Sequence, residues 1–434
     1  MKNTRELVLE GLLSFDKELD FSSKIIKEIL DKNDDLTGQD KAFIKRLFEG
    51  VIERRIELDY RIDLVSKTPV HKMKPVIRNL IRMGTYQLIY MDSVPDSAAI
   101  NESVKLAKKR GLAGLSGFVN ANLRSVSKNK TEDIFEALKD DRIKYLSVRY
   151  SVPEWICEKW VKEYGNDEAE RLLDSLLKTR PVSLRFNTKL TDDERKSVVL
   201  DIENEGVKLS KDSRLDYVFS AEGIKGLKNL PGYDEGLFTV QDISSCLAIE
   251  AAGIKQGDCV IDVCAAPGGK SILASEKAGE SGKVFSFDLS EDKIPLIKEN
   301  ARRMKADNIE ACAGDGSVKK DSLIEKADVL ILDVPCSGLG VMGKKRDIKY
   351  NASPEKISDL VKIQESIVDA SWEYVKKGGR LIYSTCTINP DENEKQAERI
   401  AAKYPFKIVA GPVQLLPHKD HCDGFFYAVF ERTE

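Results

Sequence analysis

Two cysteines in the C-terminal half of this chain stand where covalent chemistry could be done. Cys336 lies in Asp333-Val334-Pro335-Cys336-Ser337-Gly338 and Cys386 in Tyr383-Ser384-Thr385-Cys386-Thr387. Each follows an apolar run that reads as a buried strand, Val329 to Leu332 before the first and Leu381 to Tyr383 before the second. Residues just past the carboxyl ends of strands in an open α/β sheet line its ligand crevice. Two thiols delivered there, with Asp333 three residues ahead of one, point to nucleophilic attack on an electrophile. The three histidines, His71, His418 and His421, leave little material for a histidine-dependent triad or a histidine-rich metal centre.

The elements that must carry these residues can be read from periodicity. Residues 1 to about 128 predict an all-helical domain. Apolar side chains recur at three- and four-residue spacing around Leu7–Leu13, Phe43–Ile52 and Val76–Ile89, and Thr37-Gly38-Gln39-Asp40 and Val94-Pro95-Asp96-Ser97 look like helix starts. A polar connector is expected over about 131–144. From 145 to 230 the pattern mixes helix (168–177, 192–205) with short strands (182–187, near 217–219) and predicts a small α+β module. From 231 to 434 strand, Gly-rich turn and helix alternate, which predicts a mostly parallel sheet with helices on both faces.

Composition narrows the partners. The net charge of −3 over 434 residues favours neither nucleic acid nor membrane as a whole, but residues 1–130 hold 24 Lys+Arg against 18 Asp+Glu, and the remainder 45 against 54. That asymmetry suits a basic N-terminal module that meets a polyanion. The eight cysteines contain no Cys-x-x-Cys pair, so no metal is expected, although Cys422 lies near His418 and His421. No apolar leader and no membrane span of about 18 residues is present, which gives a cytoplasmic expectation.

Cys264-Ala265-Ala266-Pro267-Gly268-Gly269-Lys270 closes the first strand of the alternating region and opens a helix. Small residues let a ligand approach the backbone, and the helix N-terminus offers free N–H groups. The spacing is that of neither a dinucleotide fingerprint nor a P-loop. Asp288 ends the next strand, where a carboxylate can bind ribose hydroxyls, and Asp315 follows the third, where one could meet an adenine edge. A nucleoside cofactor is expected, and the loop itself admits a nicotinamide or an adenosyl group. The two thiols favour methyl transfer to a pyrimidine carbon. A thiolate added to C6 of cytosine makes C5 nucleophilic, Asp333 is placed to serve N3 as an acid, and Lys270 is a candidate cation to lower a cysteine pKa.

These three motifs, with Glu392-Asn393-Glu394 after the last, resemble the RNA 5-methylcytosine methyltransferases of the RsmB/Sun family in the NOP2/Sun superfamily. The resemblance implies Cys386 as nucleophile, Cys336 as the residue that promotes product release, and S-adenosyl-L-methionine held by Cys264 to Lys270 with Asp288, Asp315 and Asp333. Separately, Arg78–Leu88, Ala98–Glu102 and Phe118–Arg124 resemble the helical RNA-binding NusB family. The pair implies a NusB-like all-α domain, a small α+β module and a Rossmann-like class I methyltransferase domain, acting on cytosine 967 of 16S ribosomal RNA before or early in assembly. Lys344, Lys345 and Arg346 (with Lys349), Arg185, and the run Lys105, Lys108, Lys109 and Arg110 are the cations expected to meet RNA phosphates. The same chemistry on tRNA or another RNA, and a NusB-like RNA-binding assembly factor with a non-catalytic methyltransferase fold, are the alternatives.

Overall fold

The computed structural model of the chain describes residues 3–18 and 22–434; residues 1, 2 and 19–21, which the all-helical reading took in, lie outside them. Two compact units emerge. The first comprises residues 1–178 together with 342–351, and the second residues 179–341 with 352–434.

The first unit is helical. Its central helix, Pro75–Tyr90, has eleven buried residues, and the helices Thr4–Glu18, Gly38–Glu53, Asp96–Lys109 and Ser116–Lys128 share one apolar core with it. The helix Gly38–Glu53 starts where the sequence predicts, and Thr37 caps it reciprocally with Asp40. Helical packing does not stop at the expected connector. Phe135 and Leu138 are buried against Val148, and the helices Arg142–Tyr150, Glu154–Tyr164 and Asn166–Leu177 belong to this unit.

Residues 342–351 also belong here, and this corrects the reading of the basic run. Arg346 donates to Glu53 Oε1 at 2.8 Å and pairs with Glu49; Lys349 is buried and donates to the Glu53 carbonyl at 2.7 Å. Ser22 donates through its hydroxyl to Asp347 at 2.7 Å, and Tyr350 packs on the helical core. Two of the four cations of this run therefore face protein, while Lys344 and Lys345 remain exposed. Three of the four cations of the second expected run are ion-paired, Lys109 with Glu6, Arg110 with Glu10 and Lys105 with Glu102.

The second unit contains two sheets. Strands β1 (Val182–Phe186), β2 (Lys208–Lys211), β3 (Val218–Glu222) and β4 (Phe238–Val240) form an antiparallel sheet in the order β2-β3-β1-β4. Strands β5 (Cys259–Asp262), β6 (Lys283–Asp288), β7 (Ile309–Ala313), β8 (Ala327–Asp333), β9 (Val375–Thr385), β10 (Phe406–Leu415) and β11 (Phe425–Arg432) form the large sheet, ordered β10-β11-β9-β8-β5-β6-β7. The run β9-β8-β5-β6-β7 is parallel, and β11 is antiparallel to both of its neighbours. Central strands buried on both faces read as continuous apolar runs, which is why Val329–Leu332 and Leu381–Tyr383 were visible in the sequence. The order reverses between β5 and β8, the topological switch at which such sheets bind ligands.

Arg185, expected on an RNA-facing surface, is fully buried. It donates to Glu276 at 2.6 Å and Gln241 at 2.7 Å, so it ties β1 to the helix Gly269–Ala278 and cannot reach a phosphate. Breaking a buried pair leaves its partner's charge uncompensated. Arg185→Ala is expected to destabilise the protein by about 3–5 kcal/mol in denaturant unfolding. A loss below about 1 kcal/mol, within the range of a surface pair, would contradict this assignment.

Candidate active site

The register of β8 with β9 builds the site. Asp333 is paired with Ser384, and the Ser384 hydroxyl donates to Asp333 Oδ1 at 2.9 Å. Both chains then leave the sheet on the same side, and Cys336 and Cys386 meet with their sulfurs 3.2 Å apart. A third segment closes against them. The Gly340 N–H donates to the Cys386 carbonyl at 3.1 Å, and the Gly424 N–H to the Gly340 carbonyl at 3.0 Å. A Cβ on Gly340 would lie 1.9 Å from the Gly424 carbonyl oxygen, so only glycine permits this approach.

Asp333 Oδ2 accepts from the Lys270 ammonium at 2.6 Å, and Lys270 lies 5.2 Å from the centre of the Phe425 ring. Burial pushes the Lys270 pKa down, but Asp333, then Asp262 and Cys386, more than offset this, so the net shift is upward and the ammonium stays charged. Its positive charge is thus felt at Cys386. The Cys336 thiol is pushed well above its usual range, first by its contact with the Cys386 sulfur and then by burial. Cys336 therefore remains an S–H that can donate. Both oxygens of Asp333 act as acceptors in this arrangement, so the expected acid role at N3 requires the Lys270 contact to loosen or to supply the proton.

The loop after β5 is braced from β6. The Ala265 N–H donates to the Phe287 carbonyl at 2.8 Å and the Ala266 N–H to Asp288 Oδ2 at 3.1 Å. Gly268 has φ +103°, a turn other residues resist, and the helix Gly269–Ala278 starts directly after it with its first N–H groups facing out of the helix end. Asp288 also accepts from Ser290 N–H, yet a carboxylate has about four acceptor positions, which leaves room for ribose hydroxyls. Asp315 is exposed and is held below the usual carboxylate range by the Ser317 hydroxyl and N–H. Two large apolar side chains are left uncovered beside these acids in sequence, Leu289 (71 % exposed) and Val318 (58 %). Carboxylates with bare apolar neighbours at the crevice suit the ribose and ring faces of an adenosine. Cys264 sits inside the loop, its thiol pushed up by burial, and contributes through its backbone N–H to Asp262.

Among residues of the site, the sequence reading missed Ser384 and Phe425. Ser384 could have been found from strand pairing with Asp333, whereas Phe425 reads only as the start of the last apolar strand and enters the site because β11 inserts beside β9. The Cys422 region forms no ligand set: among the described residues no group of three His, Cys, Asp or Glu side chains could hold a metal ion. No helix among them is long and apolar enough to cross a membrane.

Beneath the loop, Asp262 accepts from the Ser271 hydroxyl at 2.7 Å. Burial raises its pKa to about 7; Asp333 adds to the rise, while the Ser271 bond and Lys270 oppose it. A raised folded pKa gives stability that is complete below the unfolded value near 4 and is lost as pH rises through about 7. Asp262→Asn is therefore expected to gain about 2 kcal/mol on the wild type between pH 5 and pH 8, read by thermal or denaturant unfolding. A constant difference across that window would show that Asp262 does not titrate there.

Residues 251–431 match the family model for 16S rRNA methyltransferase RsmB/F, and residues 2–128 match the NusB family. The chain is 33% identical over 450 residues to a Bacillus subtilis protein named as a probable ribosomal RNA small subunit methyltransferase B, covering 98% of each. The fold resembles that of PH0851 (TM-score 0.81, 23% identity, covering 100% of this chain and 99% of that one). It also resembles NSun6 from Pyrococcus horikoshii solved with SFG (TM-score 0.57, 19% identity, covering 65% of this chain and 98% of that one). The chain belongs to the ribosomal RNA small subunit methyltransferase B family of RNA methyltransferases that depend on S-adenosylmethionine.

Proposed function

We propose that this protein methylates C5 of a cytosine in 16S ribosomal RNA, at position 967, through a transient covalent bond from Cys386 to C6. The reading places the reaction in the cytoplasm, on RNA that is free or in early assembly. The observation that carries it is the pair of sulfurs 3.2 Å apart at the crevice that also holds the Asp333–Lys270 pair. Hydride transfer has no use for two thiols so placed; addition to and elimination from a pyrimidine ring uses both.

S-Adenosylmethionine would be held by residues 264–270 with Asp288, Asp315 and Asp333, and would supply an electrophilic methyl group. The chain's own residues do the rest. Lys270 stabilises negative charge at Cys386, and the Cys386 sulfur bonds to C6 as the C5–C6 π electrons shift. Asp333, once its Lys270 contact loosens, carries to N3 the proton that the Cys386 thiol gives up, and that proton makes C6 electrophilic. Once C5 has taken the methyl group, its proton passes to solvent and the C5–H bonding pair re-forms the C5–C6 double bond as the C6–sulfur bond breaks. The Cys336 S–H, beside the departing sulfur, donates to it as the bonding pair returns to Cys386. An unstacked cytosine is required, because both ring faces must be reached.

The test is methyl-labelled S-adenosylmethionine with unmodified, protein-free 16S rRNA, the label being mapped to a single nucleotide. Label at one cytosine, at position 967 and lost in Cys386→Ala, is the expected result. Cofactor bound without label on this RNA, but with label on tRNA, would move the substrate and keep the chemistry. Turnover retained in Cys386→Ala would remove it as the nucleophile. Cys336→Ala is expected to accumulate a denaturant-resistant protein–RNA adduct on a gel; absence of a shifted band would remove the release role.

A further inference from the structure

Two consecutive side chains, Glu392 and Asn393, both fully buried, hold both cysteine loops. Glu392 receives four hydrogen bonds on its carboxyl group. The Ser337 N–H (2.8 Å) and Gln364 Nε2 (3.1 Å) donate to Oε1, and the Ser337 hydroxyl (2.6 Å) and Asn389 Nδ2 (2.9 Å) donate to Oε2. Ser337 directly follows Cys336. The Gln364 amide also donates to the carbonyl of Pro335, the residue before Cys336, at 3.0 Å. Because the Ser337 hydroxyl gives its proton to Glu392, the Thr387 hydroxyl is the donor in their 2.8 Å contact, which joins the neighbours of the two cysteines.

Asn393 does the corresponding work for Cys386. Its Oδ1 accepts from the Thr385 hydroxyl at 2.6 Å, and its Nδ2 donates to the Thr387 carbonyl at 3.1 Å. Both chain neighbours of Cys386 are thus fixed by one amide, which Gln414 Oε1 anchors on the far side at 2.7 Å. An acceptor-only carboxyl group matches converging donors, and an amide, which both accepts and donates, matches Thr385 and Thr387. A network this completely satisfied fixes a geometry.

We propose that Glu392 and Asn393 are a positioning pair in which Glu392 sets the place of the Cys336 sulfur and Asn393 that of the Cys386 sulfur. The assignment of kinetic roles rests on the two-thiol mechanism proposed above. Glu392 then governs release of the product and Asn393 governs attack. Loosening either loop by about 1 Å can cost on the order of a hundredfold in a step that depends on alignment.

The test uses the full-length chain and two readouts. The first needs no RNA: oxidised glutathione is added, and the rate of Cys336–Cys386 disulfide formation is followed by peptide mass. The two thiols lose two electrons and two protons, and the glutathione disulfide is reduced to two thiols. Glu392→Gln places an N–H where an acceptor stood and is expected to slow this closure about tenfold, as is Asn393→Ala. The second readout partitions the reaction. Glu392→Gln is expected to raise the steady-state share of covalent RNA adduct and to lower kcat about tenfold, with KM within about twofold. Asn393→Ala is expected to slow adduct formation instead. Ser337→Ala removes one arm of the same clamp from the loop side and answers the question if Glu392→Gln does not fold. Unchanged disulfide closure and unchanged adduct share, with only a lower Tm, would overturn the proposal. A wild-type protein that forms no adduct would overturn the two-thiol mechanism, while the disulfide rates would still decide whether the pair positions the sulfurs.

Discussion

The parallel pairing of β8 with β9 is the constraint from which the site follows. Because Asp333 is opposite Ser384, the loops after the two strands leave the sheet side by side, and the third residue past Asp333 meets the second past Ser384. A slip of one residue would turn every side chain of a strand to the other face. Here that would take Asp333 from Lys270 and break the apolar layers of Val329, Ile331 and Ile382 on one side and Leu330, Leu332 and Leu381 on the other. Core packing and catalytic register are therefore the same specification, and the residues that make the sheet stable are those that bring the thiols together.

Charge inside the protein serves a second kind of specification. Arg185 with Glu276 is buried in the second unit, and Arg82 with Asp59 joins two helices of the first through a paired contact of 2.6 Å on each guanidinium arm. Such pairs add little net stability over apolar packing, but an unpaired member is costly, so they disfavour alternative arrangements. In the active site the same physics keeps Lys270 charged beside Asp333. Its charge is then held in place, coupled to Asp333, Asp262 and Cys386, without reorganisation.

The motifs and the strands that carry them were legible in the sequence because both depend on local signals: apolar runs of strand length, small residues after a strand, and a carboxylate at a strand end. The features that were not legible depend on partners distant in the chain. Arg185 reads as a surface cation because its acceptor, Glu276, is 91 residues away. Arg346 and Lys349 read as a phosphate-binding cluster because Glu53 lies almost 300 residues earlier. Strand β10 was not visible either: Gly411-Pro412 interrupts it, and most of its side chains are exposed or half-buried, so no apolar run marks it. Of the helices from 142 to 177, only the stretch 168–177 is read from the sequence, and Arg142–Tyr150 and Glu154–Tyr164 are not. Only their buried contacts, such as Phe135 and Leu138 with Val148, reveal which unit they join.

The ten residues 342–351 give the helical unit a history in time as well as a shape. A ribosome makes residues 1–178 first, and domains usually fold as they emerge. Yet Asp347, Lys349 and Tyr350, which bond to or pack on that unit, are translated only after most of the large sheet's strands, β5 to β8 included. The first unit to be synthesised thus completes its packing late, and it does so with a peptide that continues directly from the Cys336 loop. Nascent chains shorter than about 350 residues carry the helical unit without this last piece, so its core is completed only after the Cys336 loop has been made and before β9 follows.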